Sequence, residues 1–227
     1  LPPWPFIDGL PAALDAGDGS SLSDEISWGI WTSEAMPSGT ENYRFSFNYS
    51  PLVAILNRNG YTKRSSPVFV QSFEVSNLKE LNRMTKVPVV QLISDVGKPY
   101  DFVVSGDPRT YADLATPAGL AEIARYADGI GPNKNLIVPR DASNHLGQPT
   151  ELVRWAHRAG LVVHPWTFRR ENSFLPEDFR QGNPASPVYM QAPGDFPAEL
   201  RLFYRLRVDG VFTDNPDVAV AVLTAPD

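Results

Sequence analysis

Hydrophobic and polar positions change their rhythm near residue 50. Through residues 1–47, Pro, Gly, Ser and Asp recur with no sustained period, and residues 15–21 read as loop. Trp28, Trp31 and Met36 follow without a helical or strand spacing. Tyr43, Phe45 and Phe47 alternate with Arg44 and Ser46, the pattern of a short strand with one buried face. The pattern therefore divides the chain into an irregular segment, 1–49, and a regular one, 50–227.

Beyond residue 50 the apolar residues come in compact runs bounded by turn signals. Ser50 and Pro51 open a helix over residues 51–56 that Asn59-Gly60 ends. Val68-Phe69-Val70 reads as a strand. Leu78, Leu81 and Met84 share one face of a helix over residues 76–84, and residues 87–93 form a β-branched strand with Pro88 tolerable near its start. Residues 97–114 look like a long excursion. Thr116-Pro117 caps a helix carrying Leu120, Ile123, Ala124 and Ala127 inward, and Ile130, Leu136, Ile137 and Val138 mark a strand and its surroundings. A helix over residues 150–159 turns Leu152, Val153, Trp155 and Ala156 to the core, and a strand over residues 161–168 follows. Residues 169–197 are long for a connection, which usually means a surface or active-site loop. Leu200, Phe203, Tyr204 and Leu206 give a further helix, Val211-Phe212-Thr213 a short strand, and Pro216 opens a last helix through Leu223.

Helix and strand thus alternate four or five times. Strands buried on both faces with helices between them imply a parallel sheet, because a crossover helix returns the chain to the same edge. Periodicity does not separate an open sheet from a closed barrel. An intact eight-unit barrel needs about 250 residues, so a partial barrel fits the count.

Composition narrows the chemistry. The chain has 227 residues, 42% of them hydrophobic, enough to build a core. A formal charge of −6 opposes nonspecific nucleic-acid binding, which needs a dense basic surface. With no cysteine, disulfides and thiolate chemistry are excluded. No run approaches the roughly 20 apolar residues of a membrane-spanning helix. Asn48-Tyr49-Ser50 matches a glycosylation acceptor, read as coincidence outside a eukaryotic secretory route.

Five segments in order carry a family likeness: residues 70–78 (Val70-Gln71-Ser72-Phe73-Glu74 with Asn77-Leu78), 89–93, 127–132 (Ala127-Asp128-Gly129-Ile130-Gly131-Pro132), 163–168 (Val163-His164-Pro165-Trp166-Thr167-Phe168) and 208–217. Together they resemble the carboxy-terminal part of glycerophosphodiester phosphodiesterases, particularly the larger bacterial periplasmic type. The resemblance implies an α/β fold, a partial TIM-type (β/α) barrel of the phosphodiesterase superfamily. It implies metal-assisted hydrolysis of glycerophosphodiesters to glycerol 3-phosphate and an alcohol, with calcium or magnesium polarising the phosphoryl group and histidines moving protons. A periplasmic or secreted location is suggested in the same way.

The family's His-Arg-Gly, Glu-x-Asp, His-Asp and Glu-x-Lys motifs do not occur at their expected places here. No catalytic residue and no metal ligand is therefore assigned, and no cofactor is expected on this chain, although complete family members use a divalent cation. The resemblance suggests four substrate-binding residues: Gln71, Phe73, Gln91 and Trp166. Trp166 is the leading pocket residue, its alternative a rim tryptophan with a satisfied N–H. Gln91 is either a structural link or a polar pocket contact, since a buried amide must be satisfied. His164 reads as a neutral, bonded histidine, His157 as a surface residue, His145 as part of a polar loop and Asp214 as a helix cap. Three functions remain open: the carboxy-terminal part of a phosphodiesterase, inactive alone; a noncatalytic binding or structural protein on a degenerate barrel; and a hydrolase with ligands relocated to residues 15–41. An open barrel would also expose a strand edge and favour self-association.

Overall fold

The computed structural model describes residues 49–224. The strand expected at residues 43–47, the irregular segment before it and Asn48 of the acceptor pattern lie outside the described residues. The chain divides into two compact units, one of Leu1–Gln91 with Pro99–Pro108, the other of Leu92–Lys98 with Arg109–Asp227.

In the first unit, helix α1 spans Ser50–Arg58 and buries Val53, Ile55 and Leu56. Pro51 sits in its first turn, where a missing N–H loses nothing. Ser50 lies inside this helix rather than capping it: Tyr49 holds the cap position, and its side chain does not cap the first turn. Gly60 takes φ 81° just past the end, a conformation open to glycine. Strand β1 is Val70–Ser72, two residues later than the apolar triplet suggests, and Phe69 is exposed. Helix α2, Val75–Met84, buries Val75, Leu78 and Leu81 and leaves Met84 exposed at its end. Strand β2, Val89–Ile93, is buried throughout. β1 and β2 pair in parallel with Val70 opposite Val89 and Ser72 opposite Gln91. Helix α3, Tyr100–Ser105, presents Asp101 to the start of α2, where its Oδ2 accepts from Ser76 N at 2.7 Å.

The expected excursion at residues 97–114 therefore carries helix: α3, then α4, Tyr111–Leu114, in the second unit. Thr110 and Asp113 form a capping box at α4, four residues that are too few for a periodic signal. Helix α5, Pro117–Ile123, starts at Thr116, whose hydroxyl accepts from Gly119 N at 3.1 Å. Strand β3 is Gly129–Pro132. Residues Lys134–Leu136 form a 3-10 turn, so Leu136, Ile137 and Val138 follow the strand rather than extend it. Helix α6 is Leu152–Arg158, with Trp155 only half-buried. Strand β4 is Val162–Val163.

β3 and β4 pair in parallel, Gly129 opposite Val162. A Cβ on Gly129 would stand 2.5 Å from Val162 Cγ2, which explains glycine at that crossing. Leu92 and Ile93, at the end of β2, belong to the second unit, where Asn133 N donates to Ile93 O at 2.7 Å, so in each unit neighbouring strands are consecutive in the chain. The regular ladder stops after Val163, short of the expected Phe168: His164 N and Trp166 N still donate to Ile130 O and Pro132 O, but Pro132 on the facing strand has no N–H to return to His164 O. Single parallel bridges take over at Asn133–Trp166 and Phe168–Thr213. Phe212 N reaches Pro165 O at 2.9 Å and Phe168 N reaches Phe212 O at 2.8 Å, so the expected strand at residues 211–213 runs beside residues 163–168 as bridges. Helices α7, Phe196–Arg205, and α8, Pro216–Thr224, complete the described chain. Phe168 and Phe203 meet edge to face in this core, centroids 4.8 Å apart. Parallel strands taken in chain order with helices between them make the fold part of a TIM-type (β/α) barrel.

Candidate substrate-binding strand ends

Barrels of this type carry their chemistry at the carboxy-terminal ends of the strands. In the first unit Phe73 directly follows β1, while Gln71 is the middle residue of β1 and Gln91 the middle residue of β2, opposite Ser72 at the end of β1. Gln91 is fully buried, and its Nε2 donates to Phe73 O at 2.8 Å and Ser72 O at 3.4 Å. The amide thus fixes the turn from β1 into α2, the structural-link alternative for this residue. Gln71, half-buried on β1, has a buried Oε1 with no partner among the described residues. Phe73 is half-buried in the turn itself. Beside it, Glu74 accepts from Ser72 Oγ at 3.0 Å, and Ser72 Oγ in turn accepts from Glu74 N at 3.1 Å. Burial pushes the Glu74 carboxyl up, with the Ser72 hydroxyl opposing.

In the second unit, Trp166 is half-buried with its indole Nε1 donating to Gly131 O at 2.7 Å. Its N–H is therefore used by the fold, and only the ring remains to meet a ligand. The peptide bond from Trp166 to Thr167 is cis. Lys134 N donates to Trp166 O at 3.1 Å, and the rest of Lys134 enters a buried charge node. Its Nζ donates to Glu199 Oε1 at 2.7 Å and to Phe174 O at 3.4 Å, and lies 5.1 Å from the Phe168 ring centroid. Arg140 donates to the same Glu199 oxygen at 3.2 Å and to Phe174 O at 3.1 Å. Glu199 is fully buried and its Oε2 has no partner among the described residues. Burial pulls the Lys134 ammonium below its ordinary range, against the attraction of Glu199.

None of these three charges was expected from sequence. One signal was available: Glu199 stands three residues after Phe196 and four before Phe203, inside the apolar stripe of α7. A carboxylate there must find cations within the core.

The long loop at residues 169–197 is ordered around Asn172, which is fully buried. Its Nδ2 donates to Gln181 O and Tyr189 O, each at 2.8 Å, and its Oδ1 accepts from Gln181 N at 3.1 Å. Glu171 and Pro193 form an antiparallel bridge, and Arg180 Nε donates to Asn172 O at 2.8 Å. At the start of the loop the Arg169 guanidinium stacks 4.6 Å from the Phe174 ring centroid. Arg169 Nε also donates to Asp214 Oδ2 at 2.5 Å. Asp214 thus pairs with arginine, and Asn215 rather than Asp214 directly precedes the helix that begins at Pro216.

His164 is a mostly buried ring, pulled down by burial with Asp209 opposing, so its neutral form is favoured as expected. His157 is exposed and meets Asp209 Oδ2 at 2.8 Å, while Asp209 Oδ2 also accepts from Val163 N. His145 sits in the expected polar loop, where Asp141 Oδ1 accepts from the backbone N–H of Ser143 and His145. Among the described residues no three His, Asp or Glu side chains are grouped to hold a metal ion. No helix among them is long and apolar enough to cross a membrane.

A sequence model described as the glycerophosphoryl diester phosphodiesterase family matches residues 22–218. A glycerophosphodiester phosphodiesterase of Arabidopsis thaliana is 37% identical over 148 residues, covering 65% of this chain and 35% of the relative. The Haemophilus influenzae glycerophosphodiester phosphodiesterase is 28% identical over 182 residues, covering 74% of this chain and 45% of its own. The crystal structure of a glycerophosphodiester phosphodiesterase from Parabacteroides distasonis gives a TM-score of 0.43 at 15% identity, over 76% of this chain and 48% of that one. The chain spans less than half the length of these curated relatives. With its sequence model matched from residue 22 to residue 218, the chain belongs to the glycerophosphoryl diester phosphodiesterase family.

Proposed function

We propose that the protein hydrolyses glycerophosphodiesters to glycerol 3-phosphate and an alcohol, and that this chain is the carboxy-terminal part of that enzyme. In this reading Gln71, Phe73, Gln91 and Trp166 serve substrate binding, and the groups that hold a cation and move protons come from elsewhere in the protein. The match of the family model over residues 22–218 carries the reading. The indole of Trp166, pinned through its N–H to Gly131 O, suits a packing contact with the glycerol backbone. The unpartnered Gln71 Oε1 suits a ligand hydroxyl, because a buried acceptor gains most from a donor it otherwise lacks. Gln91 acts by holding the Phe73 carbonyl and so the strand end. A periplasmic or secreted setting, and self-association through an open strand edge, belong to the same reading.

The test incubates this chain, and separately a longer protein that contains it, with glycerophosphocholine and millimolar calcium or magnesium, and measures glycerol 3-phosphate. Chelator-sensitive turnover is expected from the longer protein and none from this chain. Turnover by this chain would overturn its assignment as inactive alone. Binding of glycerophosphocholine with no turnover by either would favour a noncatalytic binding protein on the same fold.

A further inference from the structure

Lys134 and Arg140 share one oxygen of one carboxylate, Glu199, so the buried node carries one positive charge in excess. Both cations also hold the same carbonyl, that of Phe174. Phe174 is thereby fixed from within, while its ring is left exposed. On that ring lies the Arg169 guanidinium, stacked at 4.6 Å and held from one side by Asp214 at 2.5 Å through Nε. The two terminal amino groups of Arg169 have no partner among the described residues, and 35% of the side chain is exposed.

An arginine on a surface loop ordinarily loses much side-chain freedom when it grips a ligand. Here the ion pair and the aromatic stack have already fixed the plane of the fork. What remains free is its bidentate edge, which matches two oxygens of a phosphoryl group. Asp214 offsets part of the Arg169 charge, but the node nearby restores a positive excess. Arg169 stands three residues after Trp166 on the same strand-end segment, and Lys134 touches both neighbourhoods, through Trp166 O and Phe174 O.

We propose that Arg169 contacts the phosphoryl oxygens of the ligand, and that Lys134, Arg140 and Glu199 are positioning residues acting through Phe174. This rests on the reading that a glycerophosphodiester reaches the Trp166 strand end. A monoanionic phosphodiester, or the glycerol 3-phosphate it releases, is the chemical class that such a fork takes. Glycerol alone, uncharged, would not use it.

The chain is titrated calorimetrically with glycerol 3-phosphate and with glycerol, as wild type, Arg169→Gln, Arg169→Lys and Trp166→Ala. Arg169→Gln is expected to weaken glycerol 3-phosphate about tenfold or more, the loss of one charge-assisted contact, and to flatten the salt dependence. Glycerol binding should not change, and Arg169→Lys should recover only part of the loss because it lacks the fork. Arg169 is partly exposed, so an unaltered circular dichroism melt is expected for both of its variants. If Arg169→Gln stays within about twofold of wild type while Trp166→Ala abolishes binding, the inference falls and the strand-end reading stands. Equal weakening of glycerol and glycerol 3-phosphate would also overturn it, since a phosphate contact cannot act on glycerol. No binding by the wild-type chain, or binding that neither Arg169 nor Trp166 affects, would overturn the strand-end reading and the inference with it.

Discussion

Replacing Glu199 tests the electrostatic account of the second unit most directly. Glu199 is fully buried and takes two cations on Oε1, at 2.7 Å from Lys134 and 3.2 Å from Arg140. Glu199→Leu leaves both cations without a counter-charge. Lys134 keeps 9% of its side chain exposed and Arg140 15%, so neither regains full hydration by a small movement. Breaking one side of a buried pair costs about 3–5 kcal/mol, set against roughly 5–15 kcal/mol for a whole domain. Glu199→Gln keeps a neutral acceptor and should cost less, about 2–3 kcal/mol, the difference between charged and neutral bonds. Urea unfolding at pH 7, followed by circular dichroism, reads both values. The third arm replaces the node entirely, with Lys134→Met, Arg140→Met and Glu199→Leu together. With no charge left buried, that variant should recover to within about 1 kcal/mol of wild type.

The pH dependence adds an independent sign. Burial pulls Lys134 below its ordinary value of 10.5, so between its lowered pKa and 10.5 the unfolded chain binds more protons than the folded one. Stability from this group is then lost below that window and rises through it toward alkaline pH. Lys134→Met should remove that slope from the difference curve. A loss of less than about 1 kcal/mol in Glu199→Leu, or a triple variant as unstable as the single one, would show that Glu199 is not the counter-charge these cations need.

Gln91→Leu should cost about 1–3 kcal/mol by urea unfolding, because it strips the Phe73 and Ser72 carbonyls of their donor in a buried strand; a neutral outcome would mean that water replaces it. His164 is lowered from 6.5 by burial, so stability should fall as pH drops from 6.5 toward its folded pKa, where only the unfolded chain takes up the proton. The acid slope of the urea midpoint should shrink in His164→Asn, and an unchanged slope would show that His164 does not titrate in this way.

Much of the fold is written locally. Helix α2 follows from the spacing of Leu78 and Leu81, α5 from Thr116-Pro117, and β2 from a run rich in β-branched residues, because each signal lies within one element. The errors share one cause, that pairing is decided by a distant partner. β1 begins at Val70, whose N–H meets Pro88 O, rather than where the apolar triplet begins. The ladder of β4 stops where Pro132 on the facing strand has no N–H to return to His164 O, and the apolar pattern of residues 161–168 records side chains, not the N–H groups of a partner. The candidate site divides in the same way. Gln71, Phe73, Gln91 and Trp166 were named through the family likeness; Phe73 and Trp166 lie past the ends of β1 and β4, while Gln71 and Gln91 lie within β1 and β2. Lys134 and Glu199, 65 residues apart, carry no local sign of each other.

That separation also bears on why charges occupy this core at all. A buried pair of this kind gives little net stability over well-packed apolar side chains, so stability alone does not select it. What an apolar trio cannot do is hold a carbonyl. Phe174 O accepts from both Lys134 and Arg140, and through it the exposed Phe174 ring and the Arg169 fork keep one orientation at the strand end. The triple Met/Met/Leu replacement separates the two roles. It should restore the urea midpoint while freeing the Phe174 segment, seen as faster amide exchange at residues 173–176. A variant that is stable yet still protected there would show that Asn172 and its loop bonds alone set the rim, and that the charges contribute nothing to its geometry.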